Sequence, residues 1–151
     1  MLEPGRPTFS FEFFPPADGA ALDQLRRAVR ALEPLHPDWV SITYGATGST
    51  RERSFDGVRA IRKDTNAAVM GHLTVSGQTR GEVEGAVRSY AELGVRSILA
   101  VRGDPQGGPG TKFVRQPDGL VNATELVRLV RSIADFRVGV AAFPEIGRAH
   151  V

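Results

Sequence analysis

Apolar and polar residues alternate over Thr8-Phe9-Ser10-Phe11-Glu12-Phe13-Phe14 until Pro15-Pro16 stops the run, which predicts a strand. Over 20–33, Leu22, Leu25, Val29 and Leu32 recur at helical spacing. A second strand is predicted over 39–43, followed by a Gly/Ser/Thr loop over 45–50 and an amphipathic helix marked by Phe55, Val58 and Ile61. Residues 68–75 read as a third strand. Val83, Val87 and Tyr90 mark a third helix, which Gly94 is placed to end. A fourth strand over 97–101 leads into a Gly/Pro-rich loop over 103–119. The next helix opens with the capping-box pattern Asn122-x-x-Glu125 and carries Leu126, Val130 and Ile133 on one face, and a fifth strand is predicted over 138–143.

The order βαβαβαβαβ is that of a parallel sheet covered by helices. A doubly wound sheet and a (β/α)₈ TIM barrel both fit it. No strand leads into a G-x-G-x-x-G turn, which weakens the dinucleotide-binding form of the first. The barrel accounts for more. Alternation puts Phe9, Phe11 and Phe13 on one face of the first strand and Ser10, Glu12 and Phe14 on the other. Likewise Val40 and Ile42 oppose Ser41 and Thr43, and Val69, Gly71 and Leu73 oppose Met70, His72 and Thr74. Polar residues thus share single faces near the C-terminal strand ends, which in a barrel form the active-site mouth. A whole barrel needs eight strands and typically ~250 residues. The fold expected here is therefore α/β, an incomplete barrel of about five parallel strands and four helices.

Composition narrows the function. The 151 residues are 41% hydrophobic and 24% charged, as in an ordinary globular chain. No apolar run approaches the ~18 residues of a membrane span, and the N-terminus lacks a signal-peptide core. Cysteine is absent, which excludes disulfide scaffolds, thiol catalysis and cysteine–zinc sites, and makes a reducing cytoplasm the default compartment. The 19 basic and 17 acidic residues leave a net charge of +2, and Lys63 and Lys112 are the only lysines. Arginines are scattered rather than gathered into a stripe, so neither nucleic acid nor a membrane is an expected partner.

Glu12, set among four phenylalanines, is expected to be desolvated, which favours its protonated form and suits a general acid. An ion-paired structural glutamate, partnered by Arg102, is the equal alternative. His72 reads as well as a hydrogen-bonded core residue as a catalyst, and His36 as a surface residue in a Pro-flanked turn. No His or carboxylate cluster has metal-ligand spacing, so no metal is expected. Arg102-Gly103-Asp104 sets a cation and an anion at a strand end before a glycine-rich loop. Such loops can hold phosphates through backbone N–H groups and arginine, or can simply be mobile.

Five segments carry a resemblance. Phe11-Glu12-Phe13-Phe14-Pro15-Pro16, Ser41-Ile42-Thr43-Tyr44-Gly45-Ala46, Gly71-His72-Leu73-Thr74, Leu99-Ala100-Val101-Arg102-Gly103-Asp104 and Ala141-Ala142-Phe143-Pro144-Glu145 resemble, in order and spacing, the strand-end motifs of the methylenetetrahydrofolate reductase family. The resemblance covers roughly residues 8–145. It implies a (β/α)₈ flavoprotein in which FAD takes hydride from NADH or NADPH and reduces 5,10-methylenetetrahydrofolate to 5-methyltetrahydrofolate for methionine synthesis. For the complete barrel it also implies a homo-oligomer. Carried over by motif, Glu12 is the acid that protonates folate N10, and Asp104 lies near the flavin and tunes it. Thr43, Tyr44, Ala46, His72, Arg102, Gly103 and Asp104 match cofactor-contacting positions, with Ala123 and Phe143 added. Phe143 stands where many members have tyrosine.

The family pattern continues past Pro144-Glu145 with a histidine-containing loop and three further βα units, whereas this chain reads Glu145-Ile146-Gly147-Arg148-Ala149-His150-Val151. That heptapeptide can be encoded by GAGATCGGAAGAGCACACGTC, a match to a common sequencing adapter. The expected division is thus a partial FAD-dependent reductase barrel over 1–144 and a non-native tail over 145–151. An uninterrupted locus in independently sequenced DNA, with a stop codon after Val151, would remove that expectation. An open parallel sheet exposes an unpaired edge, so 1–151 alone is expected to be poorly soluble or oligomeric and inactive. Two alternatives remain at this point. One is another FAD-dependent barrel oxidoreductase, such as a proline-dehydrogenase-like enzyme, and the other is a non-catalytic FAD-binding half-barrel.

Overall fold

A computed structural model describes residues 7–45, 50–105, 107, 111–143 and 148–149. Strands β1 (Ser10–Phe13), β2 (Trp39–Ile42), β3 (Val69–Thr74), β4 (Ser97–Val101) and β5 (Arg137–Val140) form one parallel sheet in chain order. Helices α1 (Gly19–Leu32), α2 (Arg51–Asp64), α3 (Arg80–Glu92) and α4 (Ala123–Ile133) connect them. A doubly wound sheet reverses its strand order at a switch point. This one does not, and the order is that of successive strands in a (β/α)₈ barrel.

The registers keep like faces together: Glu12 lies beside Ser41, Ser41 beside Met70, and His72 beside Leu99. Val40, Ile42, Leu73, Ile98 and Ala100 are buried on one face with Val29, Val58, Ile61, Val83, Val87 and Leu126 of the helices. Phe11 and Phe13 pack against that layer. The alternation expected from the sequence holds.

Side chains fix the helix starts. Asp18 accepts the N–H of Ala21 at 2.8 Å ahead of α1. Thr79 and Glu82 form a reciprocal capping box at α3 that the sequence reading did not single out. At α4, Asn122 accepts the Glu125 N–H at 3.0 Å, but the Glu125 carboxylate reaches one residue further back than expected, to the Val121 N–H. Gly94, at φ +73°, follows α3 as predicted.

The fifth strand departs from expectation. Its ladder with β4 ends at Val140, and Ala142–Phe143 (β6) pairs antiparallel with Arg148–Ala149 (β7). The last β4 residue in that ladder is Ala100, so no β4 partner holds 141–143 in the sheet. Residues 144–147 and 150–151, most of the tail expected over 145–151, lie outside the described residues.

Candidate functional site

A cavity of about 570 Å³ opens where the C-terminal ends of the five strands converge. Phe14 and Pro15 border it after β1, Thr43 and Tyr44 after β2, and Ala141 after β5. His72 and Thr74 of β3 and the run Val101-Arg102-Gly103-Asp104 after β4 complete the wall. This is the end of the sheet at which barrel enzymes place their chemistry.

Short polar side chains tie down the β2 end. Ser54, fully buried in α2, donates to the carbonyl oxygens of Thr43 and Thr50 at 2.8 and 3.0 Å. Thr50 donates to the carbonyl of Tyr44 at 2.8 Å. Tyr44 packs its ring edge-on to Phe55 and donates its hydroxyl to Gln78 Oε1 at 3.1 Å. Burial pushes that phenol well above its ordinary value. Its ring is therefore held in the packing at the edge of the cavity, which Tyr44 borders.

Beyond β3 and β4 the two loops clasp each other. The N–H groups of Val75 and Ser76 both donate to the Arg102 carbonyl, at 3.1 and 3.0 Å. Ser76, 2% exposed, donates its hydroxyl to the Asp104 carbonyl at 2.5 Å. Gly103 turns between these anchors at φ +83°, a conformation that a side chain would disfavour. These three hydrogen bonds hold the Arg102–Asp104 backbone, and with it a cation and an anion, at the rim. The Arg102 guanidinium lies 5.3 Å from the centroid of the Phe113 ring, a cation–π contact that keeps its charge at the opening.

Glu12 departs from its expected setting. Its side chain is 58% exposed, because three of the nearby phenylalanines point to the opposite face or away and Phe14, on its own side, is 85% exposed. Nor does it pair with Arg102, which lies at the far end of β4, roughly three strand spacings of ~4.8 Å away. The Glu12 carboxylate instead approaches His72 Nε2 at 3.4 Å, across β2. Only the small Ser41 and Thr43 lie between them on that face, which leaves room for the pair. Burial lowers the His72 pKa below 6.5, and the Glu12 charge opposes that shift.

Thr43, Tyr44, His72, Arg102, Gly103 and Asp104 thus come together around one cavity, and Glu12 joins them through His72. Ala46 lies outside the described residues, as does the side chain of Phe143. Ala123, the first residue of α4, is fully buried and does not border the cavity. Thr74, which borders the cavity, and Ser76 and Gln78, which bond to residues that border it, are what sequence reasoning missed. They follow the third strand in Thr74-Val75-Ser76-Gly77-Gln78, where nothing in the residue types distinguishes a clasp from an ordinary polar loop. Among the described residues no helix is long and apolar enough to cross a membrane.

The sequence matches the family described as Methylenetetrahydrofolate reductase over residues 1–150. It is 37% identical over 142 residues to 5,10-methylenetetrahydrofolate reductase of Salmonella typhimurium, covering 94% of this chain and 46% of that one. The Escherichia coli reductase of the same name is 36% identical over 142 residues, with the same shares. A probable methylenetetrahydrofolate reductase (NADH) of Oryza sativa is 33% identical over 143 residues, covering 93% of this chain and 24% of the relative. The chain therefore spans less than half the length of the relatives it matches.

Proposed function

The chain belongs to the methylenetetrahydrofolate reductase family, and from that premise we propose that it supplies the strand-end half of a site reducing 5,10-methylenetetrahydrofolate to 5-methyltetrahydrofolate, with FAD as cofactor and NADH or NADPH as reductant. The observation that carries the reading is the convergence of the Glu12, His72 and Arg102-Gly103-Asp104 segments on one strand-end cavity. Family membership sets aside the proline-dehydrogenase-like alternative.

The residues present suit a flavin nucleotide. The opening is large enough for a heterocyclic ring, a cation stands at its rim, and the Thr74 hydroxyl in its wall lacks a hydrogen-bond partner. Thr43, Tyr44, His72, Gly103 and Asp104 would border the ring, and Ala46, Ala123 and Phe143 remain proposed contacts on family resemblance alone. FAD would supply the hydride relay between nicotinamide and folate. Arg102 would meet negative charge on the cofactor, being always ionised and able to bind an oxyanion through two N–H groups. Asp104 would place a fixed negative charge beside the ring and so disfavour added electron density there. Glu12 would hold the proton that opens the folate ring at N10, with His72 setting the direction of its carboxylate across β2.

The test is an anaerobic titration with FAD, then with NADH or NADPH, of the purified protein carried in a barrel completed by three further βα units. Saturable binding at one FAD per chain, followed by bleaching of the flavin's visible absorbance, is expected. A folded protein that leaves FAD free in solution would refute the reading, and one that binds FAD but passes no electrons would favour the non-catalytic alternative.

A further inference from the structure

Among the described residues, one buried hydroxyl in the cavity wall has nothing to bond. Thr74 is 5% exposed, and its hydroxyl oxygen is buried without a hydrogen-bond partner among the described residues. Its backbone carbonyl, by contrast, accepts the Gln78 side-chain amide at 2.7 Å, so the residue is firmly placed. Buried hydroxyls are nearly always paired, because an unpaired one forfeits its bonds to water and receives nothing in return. The neighbours explain why no protein group reaches it. Thr74 lies beside Val101 in the β3–β4 register, and Val101 offers no polar atom. His72, two residues back on the same face, is turned toward Glu12. Thr74 is itself one of the residues that border the cavity.

We propose that Thr74 is a direct ligand contact, its hydroxyl bonding a polar atom on the rim of the planar heterocycle that the cavity receives. This rests on the flavin reading above and names a contact outside the cofactor positions carried over by motif. A hydroxyl can donate or accept, so it can follow a ring atom whose hydrogen-bonding character changes when the ring is reduced. Val101 alongside gives the ring an apolar surface to lie against, and Thr74 gives its edge a partner.

The shape-conserving change Thr74→Val separates this from a structural role. Removing an unpaired buried hydroxyl should leave the melting temperature of the FAD-free protein unchanged or raised, while FAD binding weakens about 2- to 12-fold, the loss of one neutral hydrogen bond. Thr74→Ser, which keeps the hydroxyl, should bind FAD within about twofold of wild type. Three results overturn the proposal. A Thr74→Val protein with a lowered melting temperature before FAD is added would show that the hydroxyl has a protein partner. Equal FAD affinity in wild type and Thr74→Val would remove the contact and leave the flavin reading standing. Folded wild type that takes up no FAD would remove both.

Discussion

Gly71→Ala should destabilise the protein from the centre of the sheet. A methyl group at this position would lie 2.6, 2.7 and 2.9 Å from three atoms of the Tyr90 ring, where ordinary contact begins near 3.4 Å. The ring has little freedom to retreat. Tyr90 is fully buried, its hydroxyl donates to the His72 carbonyl at 2.9 Å, and Phe55 packs edge-on with centroids 4.9 Å apart. Overpacking of this kind costs ~1–3 kcal/mol, and a ring pinned at both ends belongs in the upper part of that range. The reduced freedom of the unfolded chain returns about 0.4–1 kcal/mol. A net loss of roughly 1–2.5 kcal/mol remains, or about 2–10 °C in Tm for a chain of this size. Gly85→Ala is the control. Nothing lies within 4 Å of a methyl group there, and the site is exposed in α3, so Tm should rise by about 1–4 °C. Thermal unfolding followed by circular dichroism reads both changes. A Gly71→Ala protein as stable as Gly85→Ala would contradict the packing described for Tyr90.

Three further outcomes follow from the buried titrating groups and the rim cation. Since His72 has a folded-state pKa below its unfolded value of 6.5, acid favours the unfolded chain, and stability should be lost as pH falls from 6.5 toward the folded value. Denaturant titrations across that window should show a shallower loss in His72→Gln, and an unchanged slope would remove His72 as the source. Both tyrosines of the chain are buried with raised values, so their ultraviolet absorbance should not show phenolate near pH 10 but only as the protein unfolds. Free titration at 10 in folded protein would contradict that burial. Arg102→Ala should weaken FAD binding by about 10-fold or more, with a smaller effect at high salt, because a charge-assisted contact of ~1.5–3 kcal/mol is lost. Affinity equal to wild type at low salt would remove Arg102 from the site.

Much of the fold was legible because parallel strands buried beneath helices leave a strong signature. Val40, Ile42, Leu73 and Ile98 fall on the alternation that assigns faces, and all four are fully buried. The fifth strand was misjudged because an apolar run over 138–143 does not reveal that its β4 partner residues end at Ala100. At the site, the motif residues were legible by type, but their pairings were not. Glu12 meets His72 across β2 because Ser41 and Thr43 are small, a fact of three-dimensional neighbourhood rather than of spacing along the chain. The desolvation expected for Glu12 failed for the same reason. Flanking phenylalanines say nothing of burial once alternation sends them to the other face. The Ser76 clasp and the unpaired Thr74 hydroxyl depend on how two loops meet, and no local pattern encodes that.

The most direct measurement of the proposed chemistry separates its two halves in the flavin-loaded protein, carried in a completed barrel. Glu12→Gln keeps the side chain's size and removes its transferable proton. In stopped-flow absorbance, reduction of the bound FAD by NADH or NADPH should proceed at the wild-type rate, since that step needs no acid at folate N10. Reoxidation by 5,10-methylenetetrahydrofolate should slow by ~10²–10⁴-fold, the usual contribution of a positioned general acid. Reoxidation of Glu12→Gln at the wild-type rate would show that Glu12 is a structural partner of His72 and that the proton comes from elsewhere.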